Sequence, residues 1–297
     1  MKIECLKENL VESVSIAEKI SGKNLTLPVL NNLLLIAKDN KFLIRSTNLD
    51  LGVEINVQCK IEKEGTVAVP GSVLYGLVST IYNSNKINLE AVENNLIVST
   101  QSNNALIKTV LSDDFPTLPR VKSENPINIK AQDLINGLKS VWYSASISSI
   151  KPELSSVFVY KNDEKLVFVS TDSFRLAEKT VIVKDKTDSF EPILIPLSNI
   201  SEILRVLECV GGNIEVNISN NQISFVSDKV HLTSRLINGS FPDYKQIIPK
   251  EKTTFNRKNS TIWKPTKFYK SRKLYNTASQ ILLLLLSASE SLYFLYY

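Results

Sequence analysis

Histidine is almost absent from this chain of 297 residues, because His231 is the only one. Histidine is the commonest general acid or base and a frequent zinc ligand, so its scarcity excludes most zinc sites and most histidine-based catalysis. The pair Gly211-Gly212 has no phosphate-loop context and is typical of a turn. We therefore expect no metal, no cofactor and no enzymatic activity.

Cysteine and long apolar runs are scarce as well. Cys5, Cys59 and Cys209 are odd in number and widely spaced, so reduced, packed thiols are expected rather than a disulfide framework. The longest apolar run, 281–286, is much shorter than the roughly 20 residues that cross a bilayer. The N-terminus also lacks an apolar signal segment. A cytoplasmic location without membrane contact is expected.

Positive charge is concentrated at the C-terminal end. The net charge is +5, but residues 255–297 hold seven of the 35 basic residues and one of the 30 acidic residues. Residues 1–254 therefore carry 28 basic and 29 acidic residues and are nearly neutral. Any contact of this part with DNA must come from local placement of lysine and arginine, not from bulk charge.

The chain contains an internal repeat. One separation, 126 residues, recurs at three anchors: Pro70 and Pro196, Asn95 and Asn221, and Phe115 and Phe241. Three anchors at one separation indicate a tandem duplication of a domain of about 125 residues. We expect domains at 1–120 and 127–249, joined by a polar, proline-bounded linker.

Each copy combines helical and strand periodicities, which predicts the α+β class, with two helices packed on antiparallel sheet per domain. The second helix of each copy is expected just after Pro70 or Pro196. The first helix is predicted from apolar residues at i, i+4 and i+7: Leu10, Val14, Ala17 and Ile20 in one copy, and Leu134, Leu138, Val141 and Ala145 in the other.

One strand-turn-strand pattern has an unusual apex. The stretch LVFVSTDSFRLAEKTVIV (166–183) alternates apolar residues on both sides of a short turn that displays Phe174 and Arg175. Its counterpart begins at Phe42, with Thr47 matching Thr171. Simple packing with a snorkelling arginine is one interpretation of this display, and a binding surface is the other.

The repeat is not recognisable beyond residue 254. No valine, glycine or aspartate occurs from Phe255 onward. We interpret residues 250–297 as a remnant or aberrant start of a third copy, typical of a frameshift or a misassembled end.

Four motifs, in order, resemble one family: TLPVLNNLLL (26–35), DFPTLP (114–119), STDSFRL (170–176) and FPDYKQIIP (241–249). Over residues 1 to about 254 the chain is similar to the bacterial DNA polymerase III β subunit, the sliding clamp. The resemblance implies three copies of the DNA-clamp fold per subunit and a homodimeric ring around double-stranded DNA, without sequence specificity. Since head-to-tail closure of that ring needs both the first and the third domain, this chain is expected to be monomeric or aggregated. It also implies a processivity factor, not an enzyme, that holds the replicative polymerase, the clamp loader and repair proteins by linear peptide motifs.

The resemblance also implies a hydrophobic peptide-binding cleft on the second domain. The family often has Gly-His where this chain has Ser173-Phe174, and the family's final strand, which lines the cleft, has no match here. Carried over position by position, the cleft consists of Leu154, Thr171, Ser173, Phe174, Arg175, Leu176, Pro242 and Ile247.

The DNA contacts implied by the resemblance are phosphate contacts that carry no sequence information. They fall on Lys23, Asn24, Ser72, Ser148 and Lys151.

Two other functions remain open at this point. A truncated, non-ring scaffold would bind partner peptides without closing on DNA. Alternatively, Ser148 to Lys151 fits S-x-x-K, the nucleophile motif of penicillin-binding enzymes, although the accompanying Lys-Thr-Gly and Ser-Asp-Asn motifs are absent.

Overall fold

A computed structural model describes most of the chain up to residue 248, and beyond it only the backbone of 267–270 and 292–296. The side chain of Ile247 and nearly all of the predicted aberrant end lie outside the described part. The described ranges are 1–22, 27–82, 84–112, 114–118, 120–121, 123, 125–183 and 190–248.

The first half of the chain forms nine strands and two α-helices among its described residues, with a 3-10 turn at Pro28–Asn31. Their bounds are β1 (Lys2–Leu6), α1 (Lys7–Ile20), β2 (Asn32–Lys38), β3 (Lys41–Thr47), β4 (Leu51–Val57), β5 (Cys59–Lys63), β6 (Gly65–Pro70), α2 (Gly71–Ser79), β7 (Lys86–Val92), β8 (Asn95–Ser99) and β9 (Asn104–Lys108).

The second half repeats this order of elements: a strand, a helix, a group of strands, a second helix and three further strands. The prediction of two helices with antiparallel strands in each copy is confirmed. The bounds are β10 (Ile127–Lys130), α3 (Ala131–Val141), β11 (Ser156–Asn162), β12 (Lys165–Thr171), β13 (Arg175–Ile182), β14 (Ile193–Pro196), α4 (Leu197–Val210), β15 (Asn213–Ser219), β16 (Gln222–Val226), β17 (Val230–Arg235), β18 (Lys267–Lys270) and β19 (Leu292–Tyr296).

The predicted helix from Leu134 to Ala145 is too long at its C-terminal end. In the structure α3 ends at Val141 and continues as a 3-10 turn, Trp142–Ser144. The turn closes where the Ala145 amide donates to the Trp142 carbonyl. Ala145 is buried all the same, so its apolar position reflects core packing after the helix has ended.

The chain divides into two compact units, each built from two segments of the chain. Unit 1 consists of Met1–Pro126 and Arg205–Arg235, and unit 2 of Ile127–Leu204 and Leu236–Tyr297. Strands β15, β16 and β17 of the second repeat therefore belong to the same unit as the first repeat. None of the helices in the described residues is long and apolar enough to span a membrane.

Unit 1 contains two sheets and packs α1 against α2, β3 and β4. One sheet has the order β5-β1-β7-β8-β9, and in the other β15, β16, β17, β4, β3, β2 and β6 follow one another. The predicted apolar face of α1 is buried, since Leu10, Val14, Ala17 and Ile20 are at most 1% exposed. Burying a leucine, valine or isoleucine contributes about 1.5–3 kcal/mol, so this face holds α1 on the sheet.

Unit 2 is built on the strand order β14-β11-β12-β13-β19-β18, and α3 packs on β12 and β13. Backbone pairing of β19 with β13 is antiparallel, and that of β18 with β19 is parallel. Gly137 allows the close approach of α3 to the sheet. A Cβ at this position would lie only 2.4–2.7 Å from atoms of the Phe168 ring, which is 1% exposed.

We expect Gly137→Ala to destabilise the fold by about 1–3 kcal/mol, because the ring of Phe168 has no free volume into which to move. The matched control is Gly76→Ala in α2, where an added Cβ meets nothing within 4 Å. That change should stabilise by about 0.5–1 kcal/mol, since alanine is the better helix former. Urea unfolding measures both. Equal effects of the two substitutions would contradict the packing of α3 on Phe168.

Candidate functional site

The turn between β12 and β13 is closed by side chains. The Thr171 hydroxyl donates to the Arg175 carbonyl (2.7 Å) and accepts from the Ser173 amide (3.2 Å). Oδ1 of Asp172 accepts from the amides of Phe174 and Arg175, both at 3.0 Å. Ser173 takes a left-handed conformation, φ +77°. The predicted strand-turn-strand is confirmed, and its apex has a fixed shape.

The first repeat contains the same turn between β3 and β4. The Thr47 hydroxyl donates to the Leu51 carbonyl (2.9 Å) and accepts from the Leu49 amide (3.0 Å). Oδ1 of Asn48 accepts from the amides of Asp50 (3.0 Å) and Leu51 (2.7 Å). Leu49 has φ +78°, which matches Ser173. The turn is thus a property of the repeat, and only the residues at its apex distinguish the two copies.

In the first copy a neighbouring strand contacts one residue of the apex, Asp50. β17 pairs with β4, the Arg235 amide donates to the Asp50 carbonyl (2.8 Å), and Arg235 Nη1 lies 3.7 Å from the Asp50 carboxylate. The position of Asp50 is taken in the second copy by Phe174, which is 71% exposed. An aromatic ring displayed on a fixed turn is the feature expected of a contact surface.

Arg175 is tied to its own turn. Its Nε lies 3.0 Å from Asp172 Oδ2, and both side chains are only partly exposed. The expected arrangement, with the arginine stem along an apolar wall, is thus accompanied by an ion pair that holds the guanidinium at the start of β13. The first copy has Asn48 and Leu51 at these positions, so the ion pair is specific to the second turn.

Residues 241–248 pack on the sheet of unit 2. Phe241 stacks on Phe158 of β11, with ring centroids 4.7 Å apart and planes at 2°. A buried cluster joins this segment to β12 and β13: Val167, Val169, Leu176 and Tyr244, with Phe158, Tyr160, Phe241 and Ile248 against it. The structure therefore brings together the two predicted motifs, STDSFRL and FPDYKQIIP, because Leu176 and Tyr244 belong to one cluster.

A hydrogen-bond network that the sequence did not indicate fastens this segment. The Tyr244 hydroxyl donates to Glu178 Oε2 (2.5 Å) and lies 2.9 Å from the Tyr160 hydroxyl. Burial, and then the hydrogen bond to Glu178, raise the pKa of Tyr244 well above its usual value, so the phenol stays neutral. Lys245 Nζ lies 5.5 Å from the centre of the Tyr160 ring. The FPDY pattern alone indicated a turn with a packed tyrosine. The partners of Tyr244, Glu178 and Tyr160, are distant in the sequence, so no local pattern predicts these hydrogen bonds.

The predicted cleft residues differ in exposure. Leu154, Thr171 and Leu176 are buried, with 7%, 4% and 1% of their surface exposed. Ser173, Phe174 and Pro242 are exposed, and Arg175 is half-buried. Ile247 lies in the 3-10 turn Tyr244–Ile247, with its side chain outside the described part.

The predicted DNA contacts are exposed where the structure describes them. Lys23 and Asn24 lie outside the described residues. Ser72 is exposed at the second residue of α2, and Ser148 and Lys151 are exposed in the loop 145–155. This loop joins the 3-10 turn to β11, at the end of β12 that carries Thr171.

The geometry does not provide the serine-lysine arrangement of a hydrolase. S-x-x-K chemistry needs the lysine one helical turn after the serine, but the loop 145–155 contains only bends and turns. The Ser148 hydroxyl accepts from the Ile150 amide (3.4 Å).

The single histidine, His231, lies opposite Glu54 in the pairing of β17 with β4, and burial lowers its pKa. Among the described residues, no group of three His, Cys, Asp or Glu could hold a metal ion.

Comparison with known proteins gives one consistent result. Residues 1–119 match the family model of the DNA polymerase III beta subunit, N-terminal domain, and residues 128–243 match that of its central domain. The beta sliding clamp of Synechococcus elongatus is 27% identical over 266 residues, covering 86% of this chain and 69% of that protein. The beta sliding clamp of Rickettsia bellii is 25% identical and covers 87% of this chain and 70% of that protein.

The fold is similar as well. The crystal structure of the DNA polymerase III beta subunit from Thermotoga maritima has a TM-score of 0.79 and 26% sequence identity, covering 85% of this chain and 69% of that chain. The chain thus spans about seven tenths of the length of the relatives that it matches.

We expect Ser173→Gly to stabilise the fold by about 0.5–1 kcal/mol, since glycine adopts a left-handed φ without the steric penalty that serine has. Ser149→Gly is the matched control in the exposed loop 145–155, because Ser149 has no positive φ. That change should be neutral or destabilising through the entropy of the unfolded chain. Urea unfolding compares the two. A loss of stability in Ser173→Gly would show that the serine side chain, not the backbone, determines the turn.

Proposed function

Because the chain belongs to the family of the DNA polymerase III beta subunit, we propose that it binds double-stranded DNA as a clamp and holds partner proteins through the turn at 172–174 and the segment 241–248. It is a DNA polymerase processivity factor and not an enzyme. The partners proposed here are the replicative polymerase, the clamp loader and repair proteins, each bound by a short linear motif in the cytoplasm.

One observation carries the peptide-binding proposal: Leu176 and Tyr244 pack in one cluster. Phe174 precedes Leu176 by two residues, and Pro242 precedes Tyr244 by two. This packing supports the proposal that the two exposed apolar side chains, Phe174 and Pro242, border one surface. A leucine or phenylalanine anchor of a partner peptide would pack against Phe174 and Pro242, above a floor of Leu154 and Leu176.

Binding of a peptide to this surface should need little rearrangement of the protein. The turn is held by four hydrogen bonds, one donated by the Thr171 hydroxyl and three accepted by Thr171 or Asp172. The segment is held by the hydrogen bonds of Tyr244. Preorganisation of this kind increases affinity because little side-chain and loop entropy is lost on binding. Arg175 is already paired with Asp172, so the anchor of the peptide should be apolar rather than acidic.

We expect Phe174→Ala and Pro242→Ala each to weaken binding of a fluorescent peptide with a Leu/Phe anchor by about 5–30-fold, the loss typical of a truncated interface anchor. Both side chains are exposed, so the fold should tolerate the changes. Ile182→Ala is the control, because Ile182 is also an exposed apolar residue of the β13 region (54%) but lies at the far end of the strand. Fluorescence anisotropy gives the affinities.

If the peptide binds equally well to Phe174→Ala, Pro242→Ala and Ile182→Ala, the cleft is misplaced. A peptide in which alanine replaces the anchor residue provides the second control. It should bind weakly to the unchanged chain and respond little to either substitution.

For DNA, we propose that the loop 145–155 contacts phosphates through Lys151 and Ser148, with Ser72, Lys23 and Asn24 as contacts from the first repeat. The near-neutral charge of residues 1–254 suits a protein that holds DNA loosely and slides along it, since each phosphate contact adds to the salt-dependent affinity. If the chain closes as a ring, we propose that it does so head to tail between two subunits. β9 supports this, because it ends its sheet and exposes Leu106 (61%), as an edge strand at a subunit contact does.

If the chain closes as a ring, it should stay on circular duplex DNA through gel filtration and leave after the circle is linearised, because a closed ring is held by topology. The monomer expected from two of the three domains should show no such difference. Lys151→Ala should weaken DNA binding most at low salt, because loss of one phosphate contact reduces the steepness of log affinity against log salt by about 1. Lys165→Ala is the control, since Lys165 is exposed at the opposite end of β12. Equal retention on circular and linear DNA would favour the non-ring scaffold.

A further inference from the structure

Two cysteines of unit 1 lie directly opposite each other on adjacent strands. In the antiparallel pair β1 and β5, Cys5 is the partner of Cys59. Residues directly opposite in such a pair point to the same face of the sheet. Cys5 is 3% exposed and Cys59 is intermediate, and both thiols are free. The two sulfur atoms therefore share one face, with Cys59 on the side closer to solvent.

The hydrogen-bond pattern of the sheet defines the type of this pair. On the other side of β1, the Lys7 amide donates to the Asn85 carbonyl, and the Ala91 amide donates to the Met1 carbonyl. Since bonded residues alternate along a strand, the backbone groups of Cys5 face its β7 partner, Ile87. They therefore face away from β5, and Cys5 and Cys59 form a non-hydrogen-bonded pair.

Non-hydrogen-bonded pairs are the closer of the two types, with Cα atoms about 4.5 Å apart. A disulfide needs Cα atoms about 4.4–6.8 Å apart and Cβ atoms that point toward the same side. The register shift in this ladder lies between Lys2 and Ile3, so it leaves the cysteine pair in regular geometry. The backbone therefore already has the separation that a disulfide requires.

We propose that Cys5 and Cys59 form a cross-strand dithiol that a peroxide converts to a disulfide, which locks the edge strand β5 onto β1. This inference is independent of the proposed function. It concerns two residues that lie in no part of the peptide or DNA surfaces described above.

The chemistry begins at the more accessible thiol. The Cys59 sulfur, as thiolate, attacks one oxygen of hydrogen peroxide, the O–O bond breaks, and the departing hydroxide takes up the thiol proton as water. The Cys59 sulfenic acid that results is then attacked by the Cys5 sulfur. The S–S bond forms, the S–O bond breaks, and the hydroxyl leaves with the Cys5 proton as a second water. Two thiols are oxidised by two electrons, and one peroxide is reduced to two waters.

The reaction should be slow compared with that of a sensor cysteine. Burial raises the pKa of Cys5 to about 12 and also raises the pKa of Cys59, so both are mostly thiols at neutral pH. The thiolate is the reacting form. The reduced pair is thus stable in a reducing compartment and closes under sustained oxidant.

The consequence of closure follows from the position of β5. It ends the sheet order β5-β1-β7-β8-β9, while its neighbours along the chain, β4 and β6, belong to the other sheet of unit 1. β5 is thus the short segment in which the chain crosses between two sheets. Its one described strand pairing is with β1, so a covalent link there removes its freedom to open.

The experiment uses the full chain with Cys209→Ser, which removes the exposed thiol that would link separate molecules. The protein is incubated with hydrogen peroxide, blocked, and mapped by mass spectrometry without reduction. We expect one linked pair of peptides containing Cys5 and Cys59, reversed by a reducing agent and absent when Cys59→Ser is added. Accumulation of Cys59 sulfinic acid without the linked pair, or links only between chains, would overturn the proposal.

Hydrogen exchange tests the locking of the strand. In the oxidised chain the amides of residues 59–63 should exchange at least several-fold more slowly than in the reduced chain, with no change in peroxide-treated Cys59→Ser. Unchanged exchange after full formation of the linked pair would rule out the locking of β5.

Discussion

A threonine hydroxyl that both donates and accepts within one turn is the interaction on which the arrangement of this protein depends. Thr47 and Thr171 each bond the carbonyl four residues ahead and the amide two residues ahead. These bonds compensate for a left-handed residue at Leu49 or Ser173, a conformation that L-residues rarely adopt. Both strands therefore end at a defined place, and the residue at the apex is presented in a fixed direction.

The duplication gives the chain two copies of this turn, which differ in the residues at the apex and in the contacts that these residues make. In the first copy Asp50 stands at the apex beside the exposed Leu49, and the Asp50 carbonyl accepts from the amide of Arg235, which follows from the pairing of β17 with β4. In the second copy an exposed phenylalanine stands at the same position, and the preceding aspartate pairs with Arg175. Since the backbone of the two turns is the same, the difference in role lies in the side chains at four positions, 48–51 in the first copy and 172–175 in the second. Packing with a snorkelling arginine accounts for Arg175 and the turn. It does not account for the exposed ring of Phe174, for which we propose a role in binding.

Sequence reasoning succeeded where the signal is local or repeated. The apolar face of α1, the strand-turn-strand at 166–183 and the matching turn at Thr47 all follow from spacing, because side-chain direction has a fixed period in helices and strands. The α3 helix was predicted too long, since Ala145 is buried by packing beyond the helix end. The network of Tyr244, Glu178 and Tyr160 could not be predicted. Its members are 66 and 84 residues apart, and no local pattern marks a hydroxyl that meets a carboxylate across a sheet.

That network explains how a short segment without a strand can be held in place. Residues 241–248 contain one 3-10 turn and no strand, so their backbone alone offers little resistance to movement. Stacking of Phe241 on Phe158 fixes one end, and the neutral phenol of Tyr244, held by an acceptor at 2.5 Å, fixes the middle. A charged side chain at the position of Tyr244 would lose its hydration on burial, which is unfavourable. The phenol instead buries a large apolar ring and donates one hydrogen bond. The stacking of Phe241 and the hydrogen bonds of Tyr244 therefore hold the backbone on both sides of the exposed Pro242.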